Sequence, residues 1–208
     1  FGPKEFWGAI KKKHARSHLD QKCSWRRKHL VRDDRGATYR IRARLDGDEV
    51  IVLPSGKRSR VKSISTFDGE LEEAFTPMYE TLLLKDDIDV SRGDMIVREN
   101  NLPEISQDLE LMICWFHEKP LQAGGKYGIK HTTQDARCVI KEIRYKLNIN
   151  TLHRNEEDLT IGMNDIARIV IRTTKPLFTD IYRRNRNTGS IILIDEQTNE
   201  TVAAGMVI

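Results

Sequence analysis

Long apolar runs are missing from this chain. None approaches the roughly 18 residues that a membrane-spanning helix needs, and the first residues hold no apolar stretch of signal-peptide type, so no membrane association is expected. Paired cysteine spacing is missing too. Cys23, Cys114 and Cys138 stand far apart, which argues against a disulfide framework and fits reduced thiols in a cytoplasm. The phosphate-cradling loop Gly-x-x-x-x-Gly-Lys-Ser/Thr does not occur, so no P-loop nucleotide site is expected. No Ser-His-Asp or Cys-His set has a supporting context, and His117, His131 and His153 are isolated, each read as a surface or satisfied core residue. Low-complexity tracts and internal repeats are also absent.

What is present is a chain of 208 residues, 38% hydrophobic and 32% charged, enough for one or two domains with real cores. Its net charge of +4 hides an asymmetry. Residues 1–44 carry 14 Lys and Arg against 4 Asp and Glu, a balance of +10, while the remainder holds 21 against 27, a balance of −6. The basic part, with Lys11-Lys12-Lys13 and Arg26-Arg27-Lys28, has too few apolar residues for a firm amphipathic helix and reads as an irregular arm with at most one short helix near 5–15. Such a run can neutralise phosphates, but no nucleic-acid-binding fold signature accompanies it, so a solvated tail is favoured and nucleic acid is not the expected partner. His14, His18, Cys23 and His29 have the spacing of a metal cluster; four convergent ligands need a surrounding fold, so no metal site is expected.

From Asp46 onward the pattern changes to short alternating segments punctuated by turns. Glu49 to Leu53 sets Val50 and Val52 on one face and Ile51 and Leu53 on the other. Pro54-Ser55-Gly56-Lys57 is a turn, and Arg58 to Thr66 returns as the partner strand. Phe67-Asp68-Gly69-Glu70 is a second turn with Asp-Gly at its tip. Glu80–Lys85 and Met95–Val97 complete the unit, and the spacing argues for a closed barrel. A linker at 100–106 follows. Leu109, Leu111, Ile113 and Trp115 alternate with polar or smaller neighbours, and Tyr127–Lys130, Ala136–Lys146, Ala167–Arg172, Ile191–Ile194 and Thr201–Val207 are further strands. The fold class is all-β: two tandem antiparallel β-barrels, at 45–101 and 102–208, behind the irregular basic arm of 1–44.

Particular segments carry a family likeness. LPSGKRSRVKSI (53–64), FDGELEEAF (67–75) and SRGDMIV (91–97) resemble the second domain of the GTPase-type large subunit of bacterial sulfate adenylyltransferase, an elongation factor Tu-like protein. KPLQAGGKYGIKH (119–131), IRYKLNINTL (143–152), MNDIARIVI (163–171), YRRNRNTGSIILID (182–195) and TVAAGMV (201–207) resemble its third domain. The resemblance implies a GTPase domain followed by two barrels. It also implies a small subunit that joins ATP and sulfate into adenosine 5′-phosphosulfate, a step driven by GTP hydrolysis. GTP and Mg²⁺ would belong to the GTPase domain, which this chain lacks, so no cofactor is expected to be bound here and no catalytic residue is expected. An adenylylsulfate kinase follows the third domain in some members. Residues 1–44 depart from the family; Arg35-Gly36-Ala37-Thr38-Tyr39-Arg40 stands where an Arg-Gly-Tyr-Ala-Gly-type strand belongs, which points to a shifted reading frame or a truncated gene model. The first barrel is then expected to be incomplete, and the chain alone prone to association through open strand edges.

Two charged segments are the candidate partner interface. Asp68 and Glu70 sit in the FDGELEEAF turn, where solvation favours a docking role over acid–base chemistry. Arg183, Asn185 and Arg186 belong to the densest charged motif, in which arginine forks can hold carboxylates or phosphates; pairing with the local acids Asp180 and Asp195 is the competing reading. The expected partner is the adenylyltransferase small subunit. The alternative is a translation-factor-type barrel module that binds RNA.

Overall fold

A computed structural model describes residues 47–75 and 81–208, together with the strand segments Cys23–Ser24 (β1), Leu30–Val31 (β2) and Arg40–Arg42 (β3). The possible helix at 5–15 and the His14/His18/Cys23/His29 spacing fall outside the described residues.

The first unit contains β4 (Glu49–Leu53), β5 (Lys57–Ser65), β6 (Glu70–Leu71), β7 (Glu73–Phe75), β8 (Thr81–Leu84) and β9 (Met95–Val97). Its main sheet runs β1-β8-β5-β4-β9-β2, with β6 alongside β5, and β3 pairs with β7 separately. The sheet curls without closing: β1 and β2 end the path and do not pair with each other. Among the described residues the first unit is therefore a curled half-barrel. Period-2 alternation explains the packing of β4. Val50 and Val52 join Val61, Ile64, Leu82 and Ile96 inside the curl, whereas Ile51 and Leu53 lie on the opposite face with Met95 and Val97.

The second unit contains β10 (Glu104–Trp115), β11 (Lys126–His131), β12 (Gln134–Leu147), β13 (Arg154–Asn155), β14 (Ile166–Thr179), a four-residue helix α1 (Arg186–Gly189), β15 (Ser190–Ile194) and β16 (Thr201–Val207). The strand order β11-β15-β16-β10-β14-β12, with β12 returning to β11, makes a closed ring of six antiparallel strands. The long strand β12 serves both β14 and β11 because register shifts between Ile140 and Glu142 and between Ile143 and Tyr145 bend it around the ring. Inward positions follow the alternation in sequence: Leu109, Leu111, Ile113 and Trp115 of β10 and Ala167, Ile169 and Ile171 of β14 are all buried in one core. Trp115 anchors the end of that core; its indole Nε1 donates to the Lys119 carbonyl at 2.9 Å, and its ring meets Tyr127 edge-on at 5.6 Å between centroids.

Strand β14 runs past Arg172, where sequence alternation ends, and its extension joins the two units. Leu177 and Phe178 are neighbours, so their side chains leave opposite faces of the strand. Leu177 enters the core of its own barrel; Phe178, 2% exposed, enters the cluster of Ile51, Leu53, Met95 and Val97 on the outer face of the first unit. A phenylalanine buried in this way contributes on the order of 1.5–3 kcal/mol. Gln134 adds a polar contact, its Nε2 donating to the Gly93 carbonyl at 2.6 Å.

Candidate functional site

The two candidate segments lie on separate sheets. The turn between β5 and β6 is closed by Thr66 N–H donating to the Gly69 carbonyl at 2.8 Å, and Gly69 has the positive φ of +140° that a Cβ would strain. This turn leaves Asp68 and Glu70 exposed, with Phe67 almost fully in solvent at 93%.

The arginine segment is built differently. It links β14 to β15 and is held in place by its own polar residues. Asp180, 5% exposed, accepts from Thr188 Oγ1 at 2.6 Å. His131 of β11 bonds through Nε2 to the Thr188 carbonyl at 2.7 Å; since a carbonyl only accepts, Nε2 carries the proton. Burial pushes the His131 pKa below its ordinary value, against the opposing pull of that hydrogen bond. Tyr182 N–H donates to the Val207 carbonyl at 2.9 Å, which pins the loop to β16. Arg184 and Asn185 N–H groups both donate to the Ile181 carbonyl, at 2.8 and 3.1 Å. Asn185 is 7% exposed and caps α1, its Oδ1 accepting from Asn187 N–H at 3.1 Å. Gly189 is needed because a Cβ there would lie 2.4 Å from Tyr182 Cα.

This scaffold sorts the sequence candidates. Asn185 is a largely buried helix cap whose Oδ1 is taken by Asn187 N–H. Arg183, Arg184 and Arg186 are all exposed. The competing reading, that they pair with local acids, is corrected by the geometry. Asp180 is turned inward onto Thr188, and the Asp195 carboxylate accepts from the N–H groups of Gln197 and Thr198 at 2.7 and 3.1 Å, which holds its pKa below the usual carboxylate range. No ion pair involves the three arginines among the described residues. Sequence reasoning missed the roles of His131 and Thr188. The available signal was a polar cluster between two apolar strands, too short to show a period.

Elsewhere charges are neutralised locally. On the outer wall of the second barrel, Glu110 receives Arg168 and Arg144 at 2.8 Å each, and Asp108 receives Arg172 at 3.1 Å and Lys141 at 3.2 Å. The hydrogen bond from Arg168 holds the Glu110 pKa below its ordinary value. A cleft of about 390 Å³ in the first unit is lined by Arg58, Arg60, Lys85, Glu49, Asp86 and Glu99, but Arg58 pairs with Glu99 at 2.7 Å and Arg60 with Glu49.

The Ser55-Gly56-Lys57 segment is not a phosphate-cradling loop. Ser55-Gly56-Lys57 is a tight hairpin turn whose Gly56 N–H donates to the Val52 carbonyl at 2.8 Å and whose Ser55 Oγ donates to the same carbonyl at 3.1 Å. A strand follows it, so no helix terminus faces a phosphate. No group of three or more His, Cys, Asp or Glu converges on a metal position among the described residues.

A curled half-barrel followed by a closed six-strand ring is a tandem-barrel fold of elongation factor Tu-like type. Residues 108–208 match the GTP-eEF1A C-terminal domain-like family. The chain has homologues named sulfate adenylyltransferase subunit 1 and bifunctional enzyme CysN/CysC. It is 49% identical over 162 residues to sulfate adenylyltransferase subunit 1 of Bacteroides fragilis, covering 78% of this chain and 34% of that protein. It is 47% identical over 162 residues to the bifunctional enzyme CysN/CysC of Rhodopirellula baltica, covering 78% of this chain and 25% of that protein. The chain therefore spans about a third or less of the length of these relatives. The crystal structure of Sup35 complexed with GDP superposes with a TM-score of 0.70 at 17% identity, covering 81% of this chain and 41% of that one, a likeness of fold.

Proposed function

We propose that this chain is the barrel-bearing part of a sulfate adenylyltransferase large subunit, supporting GTP-driven formation of adenosine 5′-phosphosulfate by docking the small subunit. It has no catalytic site of its own in this reading, and GTP and Mg²⁺ act on a separate GTPase domain. The observation that carries the reading is the 49% identity to a protein named subunit 1, sustained across both barrel-like units. Phe178 and Gln134 support it physically, because a docking body transmits a change of state only when its parts move together. The candidate contacts are Asp68 and Glu70 on the first unit and Arg183 and Arg186 on the second. Pull-down with purified small subunit tests the reading: retention on the immobilised chain is expected, and absence of retention overturns it. Micromolar GTP binding by the chain would overturn the assignment of nucleotide to a separate domain.

A further inference from the structure

Arg183, Arg184 and Arg186 project from a loop that has no freedom to collapse, beside side chains that are apolar and incompletely buried. Ile181 is 51% exposed and lies two residues before Arg183. The Tyr182 N–H bond to the Val207 carbonyl lays this stretch against β16, where Met206 is 38% exposed. Met206 stands across from Met112 of β10, and Cys114 of β10 stands across from Ala204; all three of these partners are half-buried on the outer wall of the ring. An outer barrel wall normally alternates toward polar residues. Here Met112, Cys114, Ala204 and Met206 make an apolar patch over two adjacent strands, and Ser190, which directly follows the arginine-bearing helix α1, stands across from Met206.

We propose that this face is the docking surface for an acidic region of the small subunit: Ile181, Met206 and Met112 form the apolar centre, and Arg183, Arg184 and Arg186 form a cationic rim that receives carboxylates. The inference rests on the reading above and specifies its surface. Charge complementarity selects the occupant. The acids nearest in sequence, Asp180 and Asp195, are held by Thr188 and by backbone N–H groups, so the rim keeps its charge. Arginine forks bind carboxylates bidentately, and an apolar centre beside a charged rim is the usual anatomy of a protein interface. Methionine side chains adapt their shape to the partner surface. The locked loop also reduces the ordering cost of binding.

The test is titration of the full chain with purified small subunit at low and high salt. Wild-type affinity should fall as salt rises. The triple variant R183E/R184E/R186E should bind roughly tenfold or more weakly, and M206D should also weaken binding. K57E, a reversal on the first unit, should not change it. Circular dichroism melts establish that each variant is folded; should the triple reversal unfold, the triple Arg→Gln variant replaces it and should still weaken binding. Unchanged affinity in folded rim variants overturns this surface while leaving the proposed function standing. No binding by the wild type overturns both. Small-subunit binding insensitive to the rim, together with rim-dependent RNA binding, overturns the choice of occupant.

Discussion

Phe178 of the closed barrel stands in a cluster whose other members, Ile51 among them, belong to the half-barrel. The residue before it, Leu177, fills its own barrel. One strand therefore supplies the cores on both of its sides.

Truncation of that side chain should uncouple the units. Phe178→Ala is expected to destabilise the chain by about 3–5 kcal/mol, the cost of an unfilled core position, and to split a single urea transition into two. A variant that unfolds within 1 kcal/mol of wild type, in one step, would show that the cluster contributes little.

The arginine loop predicts an ordering among glycine substitutions. Gly189→Ala places a methyl group against backbone atoms, 2.4 Å from Tyr182 Cα and 2.7 Å from Tyr182 N, so it should cost about 1–3 kcal/mol. Gly56→Ala meets no atom within 4 Å and suffers only the strain of φ +69°, so it should cost about 1 kcal/mol. Thermal melts of the two variants check the order, and a milder effect at Gly189 contradicts the close approach.

His131 predicts a pH dependence. Its pKa is lowered in the folded chain by burial, so the unfolded chain binds its proton first as pH falls. Its contribution is complete above the ordinary histidine value of about 6.5 and is lost as pH falls through the lower folded value, with a slope of at most about 1.4 kcal/mol per pH unit. Glu110 contributes only further down, since its ordinary value of 4.5 is lowered in the fold. Denaturation midpoints between pH 7.5 and 5.5 should therefore fall for wild type and stay flatter for His131→Gln. Equal slopes would remove His131 as the source.

Cys138 should be chemically silent in the folded chain. It is 3% exposed, and burial pushes its pKa up to about 12, so almost no thiolate exists at neutral pH. Iodoacetamide followed by mass spectrometry should modify Cys138 only after urea is added. Labelling of the native protein at that residue would contradict its burial.

Much of this architecture was legible from side-chain alternation. The buried faces of β10 and β14 follow from Leu109, Leu111, Ile113, Trp115, Ala167, Ile169 and Ile171, because a period of two leaves one assignment of inside and outside. The end of β14 was hidden, since Thr173, Thr174, Lys175 and Pro176 interrupt the alternation before Leu177 and Phe178 resume it. Thr173 bridges the break, its one hydroxyl proton donated to the Lys175 carbonyl at 2.7 Å with the Gln107 carbonyl also within reach at 3.1 Å. Helix α1 was equally opaque: four residues cannot show a period, and its stability comes from Asn185 and from tertiary bonds to Thr188. At the candidate site the arginines stood out as a cluster. That they lack local partners depended on where Asp180 and Asp195 turn, which adjacency in sequence does not tell.

The closed ring also bears on how the protein is made. Strand β10 opens the second unit, yet one of its edges is covered by β16, with Leu111 facing Val207. Until β16 has left the ribosome, the hydrogen-bonding groups along this edge have no mate from it, and the nascent barrel must wait as an unsealed sheet.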